Sequence, residues 1–207
     1  MSISLRAKRT GETRDLILQA TRALLVRNGP DVTLDAVARE VGVTKQSVLY
    51  HFSSKERLLG ELALAHVVAE AEAMTQAVRT SRGLETLHRF ARANLAWHRA
   101  DFERLRMSYL RSQVVPGAHD AYSEAERRER VYPSTAAMYD AVEARVRLAD
   151  GVSPRVDVRR LVVAVHIAAI GFATMAGMLD AVGTSFKSPM EDYLEELLRP
   201  LLRGAQR

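Results

Sequence analysis

The polar side chains between Thr33 and Lys55 have the types and spacing needed to hold a phosphate backbone and read base edges. This segment reads TLDAVAREVGVTKQSVLYHFSSK. Hydroxyl and ammonium groups bind phosphate oxygens, while amides and hydroxyls at the start of a helix can bond to bases in the major groove. The side chains that we predict to face outward are Thr33, Thr44, Lys45, Gln46, Ser47, Tyr50, His51 and Lys55.

Two short helices around a tight turn are needed to position these side chains. Small or apolar residues stand at Val37, Ala38, Val41, Val43 and Val48. This spacing is typical of a helix-turn-helix, in which these residues pack inward. We therefore predict packing roles for them and no contact with bases.

The turn and the helix starts carry their own signals. Gly42 predicts a residue with positive φ between the two helices. Thr33 and Thr44 are predicted N-caps. Because unpaired backbone N–H groups lie beside such a hydroxyl, both caps can also contact phosphate.

The second helix of the pair is the predicted recognition helix. Gln46 and Ser47 lie in its first turn, the end that enters the major groove, and are the best candidates for base contacts. Lys45 can reach either guanine or phosphate. The remaining members of the outward set are expected to fix the register on the DNA backbone: Tyr50, His51 and Lys55.

The positive charge of the chain is concentrated near this motif. Residues 1–60 hold ten Lys and Arg against six Asp and Glu, whereas residues 61–207 hold twenty against nineteen. A local basic surface favours a polyanionic partner such as double-stranded DNA. The absence of cysteine excludes disulfides and thiolate metal sites, and it is consistent with a reducing, cytoplasmic location.

Helical periodicity runs through the whole chain, and strand-like alternation is scarce. We predict an all-α protein with a helix-turn-helix domain over residues 1–53 and a second helical domain over residues 54–207. Ser53 and Glu56 form a capping-box pattern at the start of the fourth helix. Pro133 lies within a predicted helix over about residues 121–148 and should kink or split it.

One apolar segment, residues 161–179, has no charged side chain. Its length permits a membrane span. Its content of Ala and Gly, together with His166 and Thr174, favours a fully buried helix of a water-soluble protein instead.

The motif TLDAVAREVGVTKQSVLYHFSSKERLL closely resembles the DNA-binding head of the tetracycline-repressor (TetR) family of bacterial regulators. The resemblance is strong over about residues 13–60 and looser elsewhere. It implies a three-helix head, a helical effector domain, a homodimer on a palindromic operator, and control by a small molecule. By position, it assigns the family's DNA contacts to the same eight outward residues. Leu49 stands where many members have tyrosine, and Tyr50 is expected to supply that phosphate contact.

The resemblance also implies an apolar effector pocket among the middle helices. Candidates for its lining are the aromatic, methionine and imidazole side chains expected on inward faces, although each can equally be a core residue. They are Trp97, Phe102, Met107, Tyr109, Tyr132, Met138, Tyr139, His166, Phe172 and Met175. Tyr139 and Trp97 come first because each combines an apolar body with a polar group.

The last two helices are the predicted dimer surface. Ala164, Ala168, Gly171 and Met175 follow helical spacing, and their small side chains allow a second helix to approach closely. Together with the final leucine stripe, Leu194, Leu197, Leu198, Leu201 and Leu202, they suggest a four-helix bundle across a two-fold axis.

Known catalytic patterns do not occur in the sequence, which has no glycine-rich phosphate loop, no G-x-S-x-G and no cysteine. We therefore predict no enzyme activity, no cofactor and no metal. His98 and Asp101 are spaced for a metal, but a surface or capping role is the better interpretation. The rival hypothesis is a helical small-molecule-binding or scaffold protein whose head does not bind DNA.

Overall fold

The computed structural model describes residues 2–106, 109, 121–149, 151–184 and 187–206. Within these ranges the secondary structure is helical, with no β-strand, which confirms the predicted all-α fold. The first helices are α1 (Ser2–Asn28), a 3₁₀ turn (Gly29–Asp31), α2 (Leu34–Val41), α3 (Lys45–Phe52), α4 (Lys55–Ala77), α5 (Glu85–Ala100) and α6 (Phe102–Leu105). They are followed by α7 (Glu124–Glu126), a π-helical turn (Arg127–Val131), α8 (Tyr132–Val146), α9 (Val158–Ala181) and α10 (Met190–Ala205).

The described chain divides into two compact units. The first, which we call the head unit, contains residues 2–65 and 121–123. The second, the carboxyl-terminal unit, contains residues 66–106, 109 and 124–206 of the described chain. Helix α4 contributes residues to both, because the division falls between Ala65 and His66.

The head unit is held together by apolar side chains from α1, α2 and α3. Helix α1 packs on α2, and α2 packs on α3. Ile17, Val37 and Val48 are completely buried between them. Gly42 has φ 77° and donates its backbone N–H to Ala38 and Arg39, as predicted for the turn. Its left-handed conformation strains any residue with a Cβ atom.

The junction between α3 and α4 differs from the predicted capping box. Ser54, not Ser53, caps α4, since its Oγ accepts from the backbone N–H of Arg57 at 3.0 Å. Ser53 instead ends α3 in a positive-φ conformation (φ 56°) and donates its hydroxyl to the Phe52 carbonyl. Only Ser53 satisfies the capping-box pattern, with Glu56 three residues later, whereas Ser54 has Arg57 at that position, so the pattern selected the wrong serine.

The core of the carboxyl-terminal unit surrounds α5. Helices α8, α9 and α10 all pack against it, and α9 also contacts α8 and α10. Leu87, Phe90 and Leu95 of α5 are completely buried there. The helix predicted over about residues 121–148 is split at Pro133 as expected, since Pro133 lies in the first turn of α8, directly after the π-helical turn. The first turn tolerates proline because its N–H groups have no helical acceptor.

Helix α9 is buried along one face only, which corrects the expectation of a fully buried helix. Val162, Val165 and Ala169 lie in the core, whereas Ile167 is 65% exposed and Val182, its C-cap, is 73% exposed. By length and composition α9 is able to cross a membrane, but its inner face packs into the helical core. Helix α9 therefore lacks charged side chains because two of its faces are apolar, and not because the whole helix is buried.

The leucine stripe of α10 divides in the same way. Leu194 and Leu198 are completely buried and Leu202 nearly so, while Leu197 and Leu201 are exposed. Leu194, Leu198 and Leu202 recur every four positions on the inner face, and Leu197 and Leu201 do so on the neighbouring outward face. Helix α10 therefore has an inner stripe that belongs to the core and a second apolar pair that faces outward.

Candidate nucleic-acid interface and a buried polar cluster

Helix α3 separates its packing side chains from a polar outer face. Val48 and Phe52 are buried, at 0% and 2% exposure, while Tyr50 is 79% exposed. Lys45 and Gln46 are also exposed, and Ser47 is half-buried. The amino-terminal turn of α3 thus presents an ammonium, an amide and a hydroxyl group together.

Thr33 and Thr44 cap their helices as predicted. The Thr33 hydroxyl accepts from the Ala36 backbone N–H, and the Thr44 hydroxyl accepts from the Ser47 backbone N–H, both at 3.1 Å. Each hydroxyl oxygen is used as an acceptor, so its own hydrogen can still be donated to an external oxygen. Both threonines are exposed at positively polarised helix ends.

The other predicted DNA residues lie along the same part of the head unit. Lys45 Nζ donates to Asp35 Oδ2 at 2.9 Å, so an acidic side chain accompanies the cation. The rings of Tyr50 and His51 meet edge to face, with centroids 5.3 Å apart. Lys55 is half-buried at the start of α4, and Leu49 is half-buried on α3.

The predicted effector residues take several different positions. Met107 lies outside the described residues. Met138 belongs to the core, and five others pack against it partly buried: Trp97, Phe102, Tyr109, Tyr139 and Phe172. Met175 and Tyr132 do not lie on inward faces as expected, since they are 47% and 48% exposed. Both side chains lie on outward faces of their helices, and residue type alone does not reveal which face a side chain takes.

An open surface pocket of the carboxyl-terminal unit contains none of these candidates. It is lined by residues of α5, α9 and the start of α10, among them Arg99, Asp180, Lys187 and Met190. Three of the predicted residues, Tyr109, Tyr139 and His166, instead take part in the hydrogen-bond network of a buried acid that the sequence analysis did not select.

That acid is Glu70 of α4, which is 2% exposed. Its Oε1 lies 3.0 Å from His166 Nε2, 3.2 Å from His98 Nε2 and 3.2 Å from Asn94 Nδ2. Its Oε2 accepts from the Tyr109 hydroxyl at 2.8 Å and lies 3.9 Å from His66 Nε2. Tyr139 extends the network, with its hydroxyl 2.7 Å from His166 Nδ1. We call His66, Glu70, His98 and His166 the Glu70 cluster.

The surroundings of Glu70 favour its ionised form. Burial by itself raises the pKa of this carboxyl, but hydrogen bonds from His166 and His98, and the charge of both imidazoles, hold the pKa well below its usual range. Burial and the neighbouring carboxylate raise the pKa of Tyr109 and of Tyr139, so both phenols stay protonated.

Two members of the cluster were accessible to sequence reasoning. His66 and Glu70 form an H-x-x-x-E pair, and residues one helical turn apart share a face of the helix. His98 was expected at the surface, but it is completely buried. Its partners stand 28 positions earlier and 68 positions later in the chain, and no local pattern predicts such a contact.

The head unit and the helical carboxyl-terminal unit together have the fold of a helix-turn-helix transcription regulator. Residues 17–62 match the family model described as bacterial regulatory proteins, tetR family. The chain is also 45% identical over 49 residues to TtgW of Pseudomonas putida, an uncharacterized HTH-type transcriptional regulator. That match covers 23% of this chain and 37% of the relative.

Solved structures agree with this match over nearly the whole chain. A protein of unknown function from Rhodococcus sp. RHA1 superposes with TM-score 0.70 at 22% identity, covering 94% of this chain and 95% of that one. A putative tetR family regulator from Shewanella sp. PV-4 gives TM-score 0.64 at 17% identity, covering 94% and 98%. NalD, the secondary repressor of the MexAB-OprM efflux pump in Pseudomonas aeruginosa, gives 0.64 at 22% identity, covering 96% and 98%. Residues 17–62 are therefore similar to the DNA-binding part of the tetR family of bacterial regulators, and the chain shares its fold with solved structures described as tetR family regulators.

Proposed function

We propose that this protein is a cytoplasmic, ligand-responsive repressor that binds a palindromic DNA operator as a homodimer and leaves it when a small effector binds. The observation that carries the proposal is the outer face of α3. Exposed Lys45 and Gln46 stand beside Ser47 at the amino-terminal end of a helix whose other face is fixed by buried Val48 and Phe52. That arrangement suits insertion into a major groove.

The predicted DNA contacts divide by chemistry into two groups. Gln46 and Ser47 are proposed to contact base edges, with Lys45 at guanine or phosphate. Five side chains are proposed to contact the sugar-phosphate backbone: Thr33, Thr44, Tyr50, His51 and Lys55. Backbone contacts set affinity for all sequences, whereas base contacts set sequence preference.

The exposed apolar faces of α9 and α10 support a homodimer. Ile167, Gly171 and Met178 are spaced along one face of α9, and each is exposed or bears no side chain. Leu197 and Leu201 form the exposed pair on α10. Soluble monomers seldom expose large apolar patches, so a second copy that places its α9 and α10 there lowers the free energy.

Helix α4 supports the proposed response to an effector. It contributes residues to the head unit and carries Glu70 in the carboxyl-terminal unit. A ligand that contacts α4 and prefers the conformation incompatible with DNA would release the operator. A ligand with equal affinity for both conformations would have no effect, however tightly it binds.

The test is binding of the purified chain to a labelled duplex from upstream of its own gene. Gln46→Ala with Ser47→Ala is expected to lower the preference for operator over random duplex about tenfold or more. Lys55→Ala should weaken binding to both duplexes and lower the slope of log affinity against log salt by about one.

Gln76→Ala is the matched control, because Gln76 is exposed on α4 within the carboxyl-terminal unit. It should leave both affinities unchanged. If neither head variant changes binding, the assigned interface is wrong. If the wild-type chain has no salt-dependent affinity for any duplex, the rival function, a helical small-molecule-binding or scaffold protein, is favoured instead.

A further inference from the structure

We propose that the Glu70 cluster is a binding site for a divalent transition-metal ion of the Zn²⁺ class. His66 and Glu70 lie one turn apart on α4, His98 lies on α5, and His166 lies on α9. Three helices therefore bring three imidazoles to one carboxylate in the interior of the carboxyl-terminal unit.

The distances within the cluster match those between the ligands of one ion. One ligand atom each from His66, Glu70 and His98 can be chosen so that all lie within 4.8 Å of one another. Zn–N and Zn–O bonds near 2.1 Å place the ligand atoms of a tetrahedral site ~3.4 Å apart. The imidazole nitrogens of His166, His98 and His66 lie 3.0, 3.2 and 3.9 Å from the Glu70 oxygens, on both sides of that value.

The charge of the cluster also favours a cation. No Lys or Arg forms an ion pair with Glu70 among the residues that the structure describes; its ionic contacts are with imidazoles. A buried carboxylate without a cation is costly. A divalent ion bound by neutral imidazoles neutralises the carboxylate and leaves one net positive charge at the site.

Two residues that contact the carboxylate each keep a second buried polar atom, on the side of the group away from Glu70. His98 Nδ1 and Asn94 Oδ1 are buried and have no hydrogen-bond partner among the described residues. Such atoms are uncommon in native interiors and often adjoin an ion or water.

The donor types select among metals. Three imidazoles and one carboxylate suit Zn²⁺, Co²⁺ or Ni²⁺, whereas Mg²⁺ and Ca²⁺ prefer oxygen ligands. Tyr139 lies outside this donor set, and its hydroxyl oxygen can accept from His166 Nδ1–H. Such a bond directs the Nε2 lone pair toward the ion and orients the ring.

The experiment uses the full chain without a histidine tag, treated with EDTA and then titrated with Zn²⁺ by calorimetry and with Co²⁺ by visible absorption. One ion per chain and a tetrahedral Co²⁺ spectrum are expected. Glu70→Gln and His98→Gln should each weaken binding at least a hundredfold. Tyr139→Phe keeps every ligand and should weaken binding about tenfold, in the range known for such supporting groups.

His88→Ala is the matched control, because His88 also pairs with a glutamate, Glu195 at 2.7 Å, but on the surface. It should bind the ion as the wild type does. Binding that is absent, that stays octahedral for Co²⁺, or that survives both Glu70→Gln and His98→Gln overturns the site. Should those two variants fail to fold, the Tyr139→Phe result and the wild-type spectrum still decide the question.

The metal site itself does not depend on the proposed function; only the effect of the ion on operator binding rests on it. If the ion is the effector, Zn²⁺ should lower operator affinity of the wild type at least tenfold and leave Glu70→Gln unaffected. Metal binding is measured without DNA, and operator binding is measured in EDTA. A chain that binds the operator but no metal refutes the metal site alone. A chain that binds the metal but no operator refutes the proposed DNA function alone.

Discussion

Lys45 and Asp35 form an ion pair in the head unit, with Nζ 2.9 Å from Oδ2. Asp35 lies in the first turn of α2 and Lys45 in the first turn of α3, so the pair joins the two helices of the helix-turn-helix. The Asp35 carboxylate accepts a hydrogen bond from the Lys45 ammonium group, which the proposed DNA interface also needs as a donor. Lys45 must therefore leave Asp35, or share its ammonium group, when it contacts DNA.

Asp35→Asn is expected to strengthen DNA binding. Exposed ion pairs contribute about 0.2–1 kcal/mol, which predicts a gain of up to about fivefold in affinity for operator and random duplex alike. The measurement is fluorescence anisotropy at two salt concentrations. Glu40→Gln removes the same charge from the head unit but from a pair with Arg27, so it controls for net charge. Equal gains in both variants would contradict a specific role of Asp35.

The two serines between α3 and α4 are expected to respond in opposite directions. Ser53 has φ 56°, and the left-handed region costs a residue with a Cβ atom about 1–2 kcal/mol. Ser53→Gly removes that strain, but glycine loses more conformational entropy on folding than serine does. The net expectation is a rise of about 0.5–1 kcal/mol in the free energy of unfolding. Ser54→Ala should lower it by about 1 kcal/mol, because the cap to Arg57 N–H is lost.

Urea unfolding of both variants followed by circular dichroism measures these changes. Each variant serves as the control for the other, because the two positions are adjacent and share one helix junction. A stabilising Ser54→Ala, or a destabilising Ser53→Gly, would show that the cap lies at Ser53 as the sequence pattern suggested.

Local signals in the sequence predicted the caps and the turn of the helix-turn-helix. Thr33, Thr44 and Gly42 act through backbone groups within four residues, and their predicted roles as two N-caps and a positive-φ turn agree with the structure. The Glu70 cluster could not be predicted in this way, since His98 and His166 reach Glu70 across 28 and 96 positions. Long-range convergence depends on how helices pack, and composition does not determine that packing.

The exposure of amphipathic side chains was equally difficult to predict. Leu198 and Leu201 are both leucines of α10, yet one is buried and the other exposed. A pattern of apolar residues on two faces fits either complete burial or a core face combined with an interface. The exposure of Ile167 excludes complete burial of α9 within the single chain, and a second copy on its outward face remains our prediction.

Gly177 is expected to resist substitution because α9 approaches Phe102 there. A Cβ atom at Gly177 would lie 2.2 Å from Phe102 Cε2. Gly177→Ala should destabilise the protein by about 1–3 kcal/mol through overpacking. Gly11→Ala is the control on α1, where nothing lies within 4 Å, and it should be neutral or stabilising by up to about 1 kcal/mol. Thermal unfolding of both variants makes the comparison.

Glu61 is expected to stabilise the head unit through several donors at once. It pairs with Arg14 of α1 and accepts from the Tyr122 hydroxyl at 3.0 Å, while Arg57 Nε lies 3.4 Å away. Glu61→Gln keeps the volume but removes the charge, and it should cost about 1–3 kcal/mol because the buried partners lose a charged acceptor. Arg14 and Arg57 remain partly exposed, which limits the loss.

Glu56→Gln is the control for this substitution, since Glu56 is exposed on the same helix. Urea unfolding should show a loss for Glu61→Gln several times larger than for Glu56→Gln. Equal losses would mean that helix-end charge, and not the contacts of Glu61, determines the effect.

The exposed face of α9 leads to a prediction about assembly. Ile167→Glu places a charge on the proposed dimer face, at a side chain that is 65% exposed in the single chain. Folding of each chain should therefore be preserved, while the cost of burying an unpaired carboxylate should shift the dimer toward monomer by at least tenfold in dissociation constant. Sedimentation at several protein concentrations measures that shift.

Leu148→Glu is the matched control, because Leu148 is 57% exposed but lies after α8, away from α9 and α10 in sequence. It should leave the dimer intact. Operator affinity should fall with Ile167→Glu and not with Leu148→Glu, since a monomer contacts one half-site only. A chain that stays dimeric with Ile167→Glu places the interface elsewhere, and then the apolar side chains of α9 need another partner to explain their exposure.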